Sequence, residues 1–201
     1  MNRTKLGWSV VCATLLGVLG VSAENVLPAG YTRLAYIASS GSQWIETNCE
    51  VSPNCTVEMD FGHPTLKNDT AMFGVDRWAG DAFLLTIQSN SFRFYGGGDY
   101  FSTPACECLT DQDYHVSVND KNGFAVTLGQ SRMYSASTKR TMDASIKNKK
   151  LAIFGMNTGA HLSSFRFYNM QVCENGALKC DLVPCQKNGV VSFYDRKNGK
   201  F

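Results

Sequence analysis

Four Asn-Gly dipeptides, Asn122-Gly123, Asn175-Gly176, Asn188-Gly189 and Asn198-Gly199, punctuate the second half of this 201-residue chain. Both residues tolerate positive φ, so Asn-Gly between apolar runs specifies the tight turn of an antiparallel hairpin. The flanking runs have strand chemistry. Ala71 to Val75, Ala82 to Gln88, Ser91 to Tyr95, Tyr114 to Val118, Phe124 to Leu128, Leu151 to Met156, Phe165 to Cys173 and Val190 to Tyr194 are short and rich in aromatic and β-branched residues. From Cys55 to Phe61 the alternation is strict, with Val57, Met59 and Phe61 on one face and Thr56, Glu58 and Asp60 on the other. Few segments suit a helix, and a parallel sheet needs helices between its strands. The chain is therefore expected to form two packed antiparallel sheets, a β-sandwich.

The N-terminus reads as a secretory signal. Arg3 and Lys5 supply the basic region, Leu6 to Val21 the apolar region, and Val21-Ser22-Ala23 a small-residue cleavage site. Gly7, Ser9, Thr14, Gly17 and Gly20 dilute the apolar run below what a membrane span requires. Residues 1–23 are thus expected to be removed, leaving residues 24–201 as one domain with no transmembrane span. The whole chain carries 19 basic and 17 acidic side chains, and loss of Arg3 and Lys5 leaves 17 of each. That neutrality excludes nucleic acid or anionic lipid captured by charge alone.

Export bears on the cysteines. Cys12 leaves with the signal, and Cys49, Cys55, Cys106, Cys108, Cys173, Cys180 and Cys185 remain. Seven thiols in an oxidising compartment allow up to three bridges and one unpaired or intermolecular cysteine. Cys49 and Cys55 flank the turn-like segment Glu50-Val51-Ser52-Pro53-Asn54, so a local bridge between them is the first expectation. Zinc is the rival reading through Cys106-Glu107-Cys108, which lacks the usual ligand spacing.

Two further features stand out. Ser91-Phe92-Arg93-Phe94-Tyr95 recurs unchanged as Ser164-Phe165-Arg166-Phe167-Tyr168, which fits two strands with one buried aromatic face each. The segment from Lys139 to Lys150 concentrates Lys139, Arg140, Lys147, Lys149 and Lys150 against Asp143 alone, the composition of a solvated loop or short helix.

The opening Leu27-Pro28-Ala29-Gly30-Tyr31-Thr32-Arg33-Leu34-Ala35-Tyr36-Ile37, followed by Ser40-Gly41-Ser42-Gln43-Trp44-Ile45-Glu46-Thr47, resembles the LPxGYTxLxYIxSxGxQYIDT start of exported bacterial LamG-like domains. Trp44 and Glu46 stand where that pattern often shows Tyr and Asp. The closing Ser164 to Tyr168, Asp181-Leu182-Val183-Pro184-Cys185, Asn188-Gly189-Val190 and Phe193-Tyr194-Asp195 to Phe201 is similar to the family's final hairpin. The resemblance implies the concanavalin A-like lectin/glucanase jelly roll and a secreted or cell-envelope location. That fold hosts lectins, adhesion modules and glycoside hydrolases, so activity must be read from a site.

Jelly-roll glucanases carry alternating carboxylates on one strand. Glu58-Met59-Asp60 starts such a pattern, but Gly62 and His63 occupy the positions of the next acid, leaving no acid/base partner. The two carboxylates are expected simply to line the solvent face, and no other catalytic motif is present. The resemblance points instead to rim loops, where acidic residues and an aromatic ring recognise a sugar. Asp76, Trp78 and Asp81 share one candidate loop, and Asp99 and Tyr100 follow a glycine run in another. Calcium is the one cofactor these carboxylates leave open. The expected function is a non-catalytic module that binds a glycan or a cell-surface or extracellular protein. A diverged glycoside hydrolase, with carboxylates assembled from distant strands, and a structural envelope component are the alternatives.

Overall fold

The computed structural model describes residues 27–76, 82–96, 100–104, 109–119, 123–128, 131–136 and 148–201, and among these it is all-β. The signal segment, Cys106, Cys108 and most of the basic stretch lie outside the described residues. Among the described residues no helix is long and apolar enough to cross a membrane.

Among the described residues fifteen strands form two antiparallel sheets. They are β1 (Tyr31–Arg33), β2 (Ile37–Ala38), β3 (Ile45–Glu50), β4 (Cys55–Gly62), β5 (Thr70–Asp76), β6 (Ala82–Gln88), β7 (Ser91–Gly96), β8 (Tyr100–Ser102), β9 (Asp113–Asn119), β10 (Gly123–Leu128), β11 (Ser131–Ala136), β12 (Lys150–Ile153), β13 (Arg166–Glu174), β14 (Ala177–Lys187) and β15 (Val190–Asp195). Sheet A runs β1-β14-β13-β4-β9-β10-β11, with β15 also on β14 and β2 on β13; sheet B runs β3-β12-β5-β6-β7-β8. This is the expected two-sheet jelly-roll sandwich.

The turn chemistry explains much of the connectivity. Asn175-Gly176 and Asn188-Gly189 both hold positive φ, 50° and 78° in the first and 50° and 77° in the second, and close the β13–β14 and β14–β15 hairpins with two residues each. Asn198-Gly199 turns differently. Only Gly199 is left-handed, at 66°, while the Asn198 amide donates to Asp195 Oδ2 and the Lys179 carbonyl.

The core lies between the sheets. On β4, Cys55, Val57, Met59 and Phe61 are buried as the alternation requires. Phe61 of sheet A meets Phe92 of sheet B edge-on at 5.8 Å, stacks at 5.5 Å on Tyr114, and reaches Phe165 at 5.8 Å. Both copies of the repeated pentapeptide send their Phe pairs, Phe92 and Phe94, Phe165 and Phe167, into this core. On β6, Phe83, Leu85 and Ile87 join the main core, whereas Ala82 and Leu84 join a second apolar cluster with Ala71 and Met156.

Most expected strands are met within a residue at each end, and three departures have a visible cause. The strand expected to run to Met156 ends at Ile153, because Phe154 adopts φ 68° and turns its amide to the Met72 carbonyl. The run expected from Phe165 pairs from Arg166, and its register shifts between Phe167 and Asn169. β14 extends through Pro184, whose carbonyl accepts from Leu34 N–H. Amide and carbonyl of one strand residue point the same way, and on that edge β13 has ended at Leu182 while β1 begins at Cys185. The missing proline N–H therefore falls in a gap between partners and interrupts no ladder.

Candidate functional site

Glu58 and Asp60 lie on the outward face of β4 as the alternation requires, and that face carries a hydrogen-bonded set of side chains. Strand pairing sets Asp60 between His115 on β9 and Asn169 on β13, and Glu58 between Ser117 and Gln171. His115 Nδ1 lies 2.7 Å from Asp60 Oδ1, and Asn169 Nδ2 donates to Asp60 Oδ2 over 2.7 Å. Both carboxylate oxygens are thus engaged. The bulge at Phe167/Asn169 makes this possible: it leaves Tyr168 and Asn169 successively off the core face, which brings the Asn169 amide opposite Asp60.

The face continues across β14. Gln171 Nε2 reaches Asp181 Oδ1 at 3.5 Å, and Asp181 takes a two-point contact from Arg196, Nε to Oδ2 at 2.8 Å and Nη2 to Oδ1 at 3.0 Å. Arg33 completes the row, and Val183 forms an apolar wall. Together these side chains line a groove of about 330 Å³.

The charges are tuned in definite directions. Hydrogen bonding to His115 holds the Asp60 carboxyl below its usual range against partial burial, with Asn169 adding to the effect. The same contact raises the His115 imidazole, opposed by burial and supported by the Asp60 and Glu58 charges. Burial lowers the Arg33 guanidinium, and nearby Arg196 lowers it further. A general acid needs the opposite environment, a carboxyl kept protonated near neutral pH. Asp60 is held ionised and Asp181 is engaged by Arg196, so the groove presents fixed charges and fork-shaped donors.

The expected rim site is placed in part. Val75, Phe83 and Gly96 are register neighbours, so the β5–β6 and β7–β8 connections leave sheet B at the same end. Asp76 is the last residue of β5, while Trp78, Asp81 and Asp99 lie outside the described residues. Tyr100 is 49% exposed, with the Tyr95 ring 5.5 Å away and the Arg93 guanidinium 4.9 Å over its own ring. Arg33, His115, Asn169, Gln171, Asp181 and Arg196 were not singled out in the sequence. His115 and Asn169 meet Asp60 on β4 across separations of 55 and 109 residues, for which a local pattern holds no signal.

Cysteine placement also differs from the local expectation. Among the described residues Cys49, Cys55, Cys173, Cys180 and Cys185 are all free thiols, so the expected Cys49–Cys55 bridge is not formed, and Cys49 on β3 lies beside Cys180 on β14. The Cys49 and Cys180 sulfurs and a carboxylate oxygen of Asp195 lie within 4.8 Å of one another, all buried.

No protein-family model and no curated protein matches the chain. Among solved structures it is similar to domains LG4-5 of the mouse laminin α1 chain, at 16% identity and TM-score 0.44 over 82% of this chain and 48% of that one. The chain thus spans about half the length of that laminin pair. It is similar also to domain 4 of AbnA, a GH43 extracellular arabinanase from Geobacillus stearothermophilus solved with arabinotriose, at 14% identity and TM-score 0.46 over 73% of this chain and 67% of that one. The carbohydrate-binding module CBM66 from Bacillus subtilis matches at 12% identity and TM-score 0.37 over 74% of this chain and 96% of that one.

Proposed function

We propose that the chain is an extracytoplasmic carbohydrate-binding module whose ligand lies along the polar groove of sheet A, with the Tyr100 rim as a second contact. The observation that carries this reading is the Asp60–His115–Asn169 set, fixed in register across three strands and continued by Glu58 and Gln171. Planar groups that donate and accept at adjacent atoms match the neighbouring hydroxyls of a sugar ring, and a rigid sheet holds them without an entropy cost on binding. Glycoside hydrolysis is the weaker reading, because its acid must store a proton and Asp60 is held ionised by its neighbours.

The test is a glycan array probed with the purified chain in calcium and in chelator, followed by affinity measurements on Asp60→Ala, Asn169→Ala and Tyr100→Ala. Loss of roughly tenfold or more with Asp60→Ala and Asn169→Ala, from the removal of a charge-assisted pair, supports the groove. Binding abolished by Tyr100→Ala and untouched by the other two moves the site to the rim. Silence across the array in both conditions overturns the carbohydrate reading in favour of a protein ligand.

A further inference from the structure

We infer that Cys49 and Cys180 form a disulfide that fastens sheet B to sheet A. The two residues come from different sheets, β3 and β14, and meet inside the sandwich at 0% and 3% exposure. Both are free thiols in this structure and their sulfurs lie within 4.8 Å, so an approach of at most about 3 Å reaches the ~2.05 Å bond.

Strand parity removes Cys185 and Cys173 as partners of Cys180, while Cys55 faces the same core and is separated by the disulfide mapping below. Cys180 faces the core, but Cys185, five residues along β14, lies in a separate cluster with Val183 and Tyr194. Cys173 is partly exposed beside inward-facing Val172. Neither can reach Cys180 without turning its strand over.

The trio does not make a good metal site. It offers three ligand atoms, whereas a structural zinc takes four. Asp195 is also committed elsewhere: its Oδ1 accepts the backbone N–H groups of Asp181, Lys197 and Asn198, and its Oδ2 accepts the Asn198 amide.

The chemistry balances through an external disulfide as oxidant. A cavity of about 280 Å³, lined by Asn48, Glu50, Lys179 and Asn198 among others, opens onto Cys180. The Cys180 thiolate attacks one sulfur of the oxidant, forming a mixed disulfide and expelling one thiol. Cys49 then loses its proton and displaces the second oxidant thiol from Cys180. Two protein thiols become one disulfide, and the oxidant accepts both electrons and both protons. The contact with the Cys180 thiol is the largest cause of the high Cys49 pKa, and the mixed disulfide removes that thiol before Cys49 must ionise.

The experiment is disulfide mapping of the full chain after refolding in a glutathione redox buffer, with free thiols alkylated before any reduction. Cleavage after Glu50 and after Asp181 separates Cys49 from Cys55 and Cys180 from Cys185. A fragment joining Cys49 to Cys180, lost on reduction, is the expected result. A Cys49–Cys55 fragment, alkylation of both thiols, or stoichiometric zinc bound to the unmodified pair overturns the inference. Independently, Cys49→Ser and Cys180→Ser are each expected to lower the Tm of the oxidised protein by about 10 °C, and the double variant by no more than either. Cys185→Ser should leave the bridged fragment in place.

Discussion

Replacing Asp60 by Asn isolates the contact at the centre of the groove. The amide keeps the size of the carboxylate and can still face Asn169, but it removes the negative charge 2.7 Å from His115 Nδ1. Each partner is 42% exposed, so solvent screens the pair and its worth is at most about 1 kcal/mol. In the wild-type protein His115 is expected to titrate above 6.5, and in Asp60→Asn to fall back toward it. The His115 ring protons can be followed by NMR across the titration. Stability should follow the same linkage. A raised His115 pKa stabilises the fold fully below 6.5, and this is lost as pH rises through the higher folded value. A lowered Asp60 pKa stabilises the fold above 3.8, and this is lost as pH falls through the lower folded value. The wild-type advantage over Asp60→Asn is therefore largest between about 3.8 and 6.5 and declines on both sides. An unchanged His115 titration in the variant would refute the account of the groove as a charge-fixed surface.

Two other expectations follow from packing and pairing. Phe61→Ala removes a fully buried ring that contacts Phe92, Tyr114 and Phe165, and should cost about 3–5 kcal/mol, read as a fall of roughly 10 °C in Tm by calorimetry. Arg196→Met leaves the Asp181 carboxylate, only 11% exposed, without its two-point donor; urea denaturation should show a loss of about 1–3 kcal/mol that Asp181→Asn in the same background partly restores.

The degree to which these features could be read from the chain depends on the range of the interaction that determines them. The β4 alternation of Val57, Met59 and Phe61 is a property of neighbours, and so are the hairpins closed at Asn175-Gly176 and Asn188-Gly189. β14 escaped because Pro184 normally ends a strand; its tolerance comes from the gap left between β13 and β1, which exists only once the sheet has assembled. The groove escaped for a related reason. Glu58 and Asp60 were visible as an alternating pair, but what they do is decided by His115 and by a register shift in β13 that moves Asn169 outward against simple parity. Tyr100, chosen for its place after a glycine run, is an exposed ring beside Tyr95 and Arg93.

The repeated pentapeptide sets this chain a folding problem. Residues 91–95 and 164–168 present the same row of aromatic and basic side chains, yet one copy belongs beside β6 and the other beside β4. Exchanging them would bury the same four phenyl rings, so hydrophobic collapse alone barely distinguishes the native pairing from the swapped one. Discrimination falls to the flanking polar contacts. Ser91 Oγ donates to the Pro104 carbonyl, whereas Ser164 Oγ donates to the Ser39 carbonyl and Tyr168 to the Asp113 carboxylate. The repeat itself therefore does not encode which partner strand each copy takes; that choice is left to the side chains that flank it.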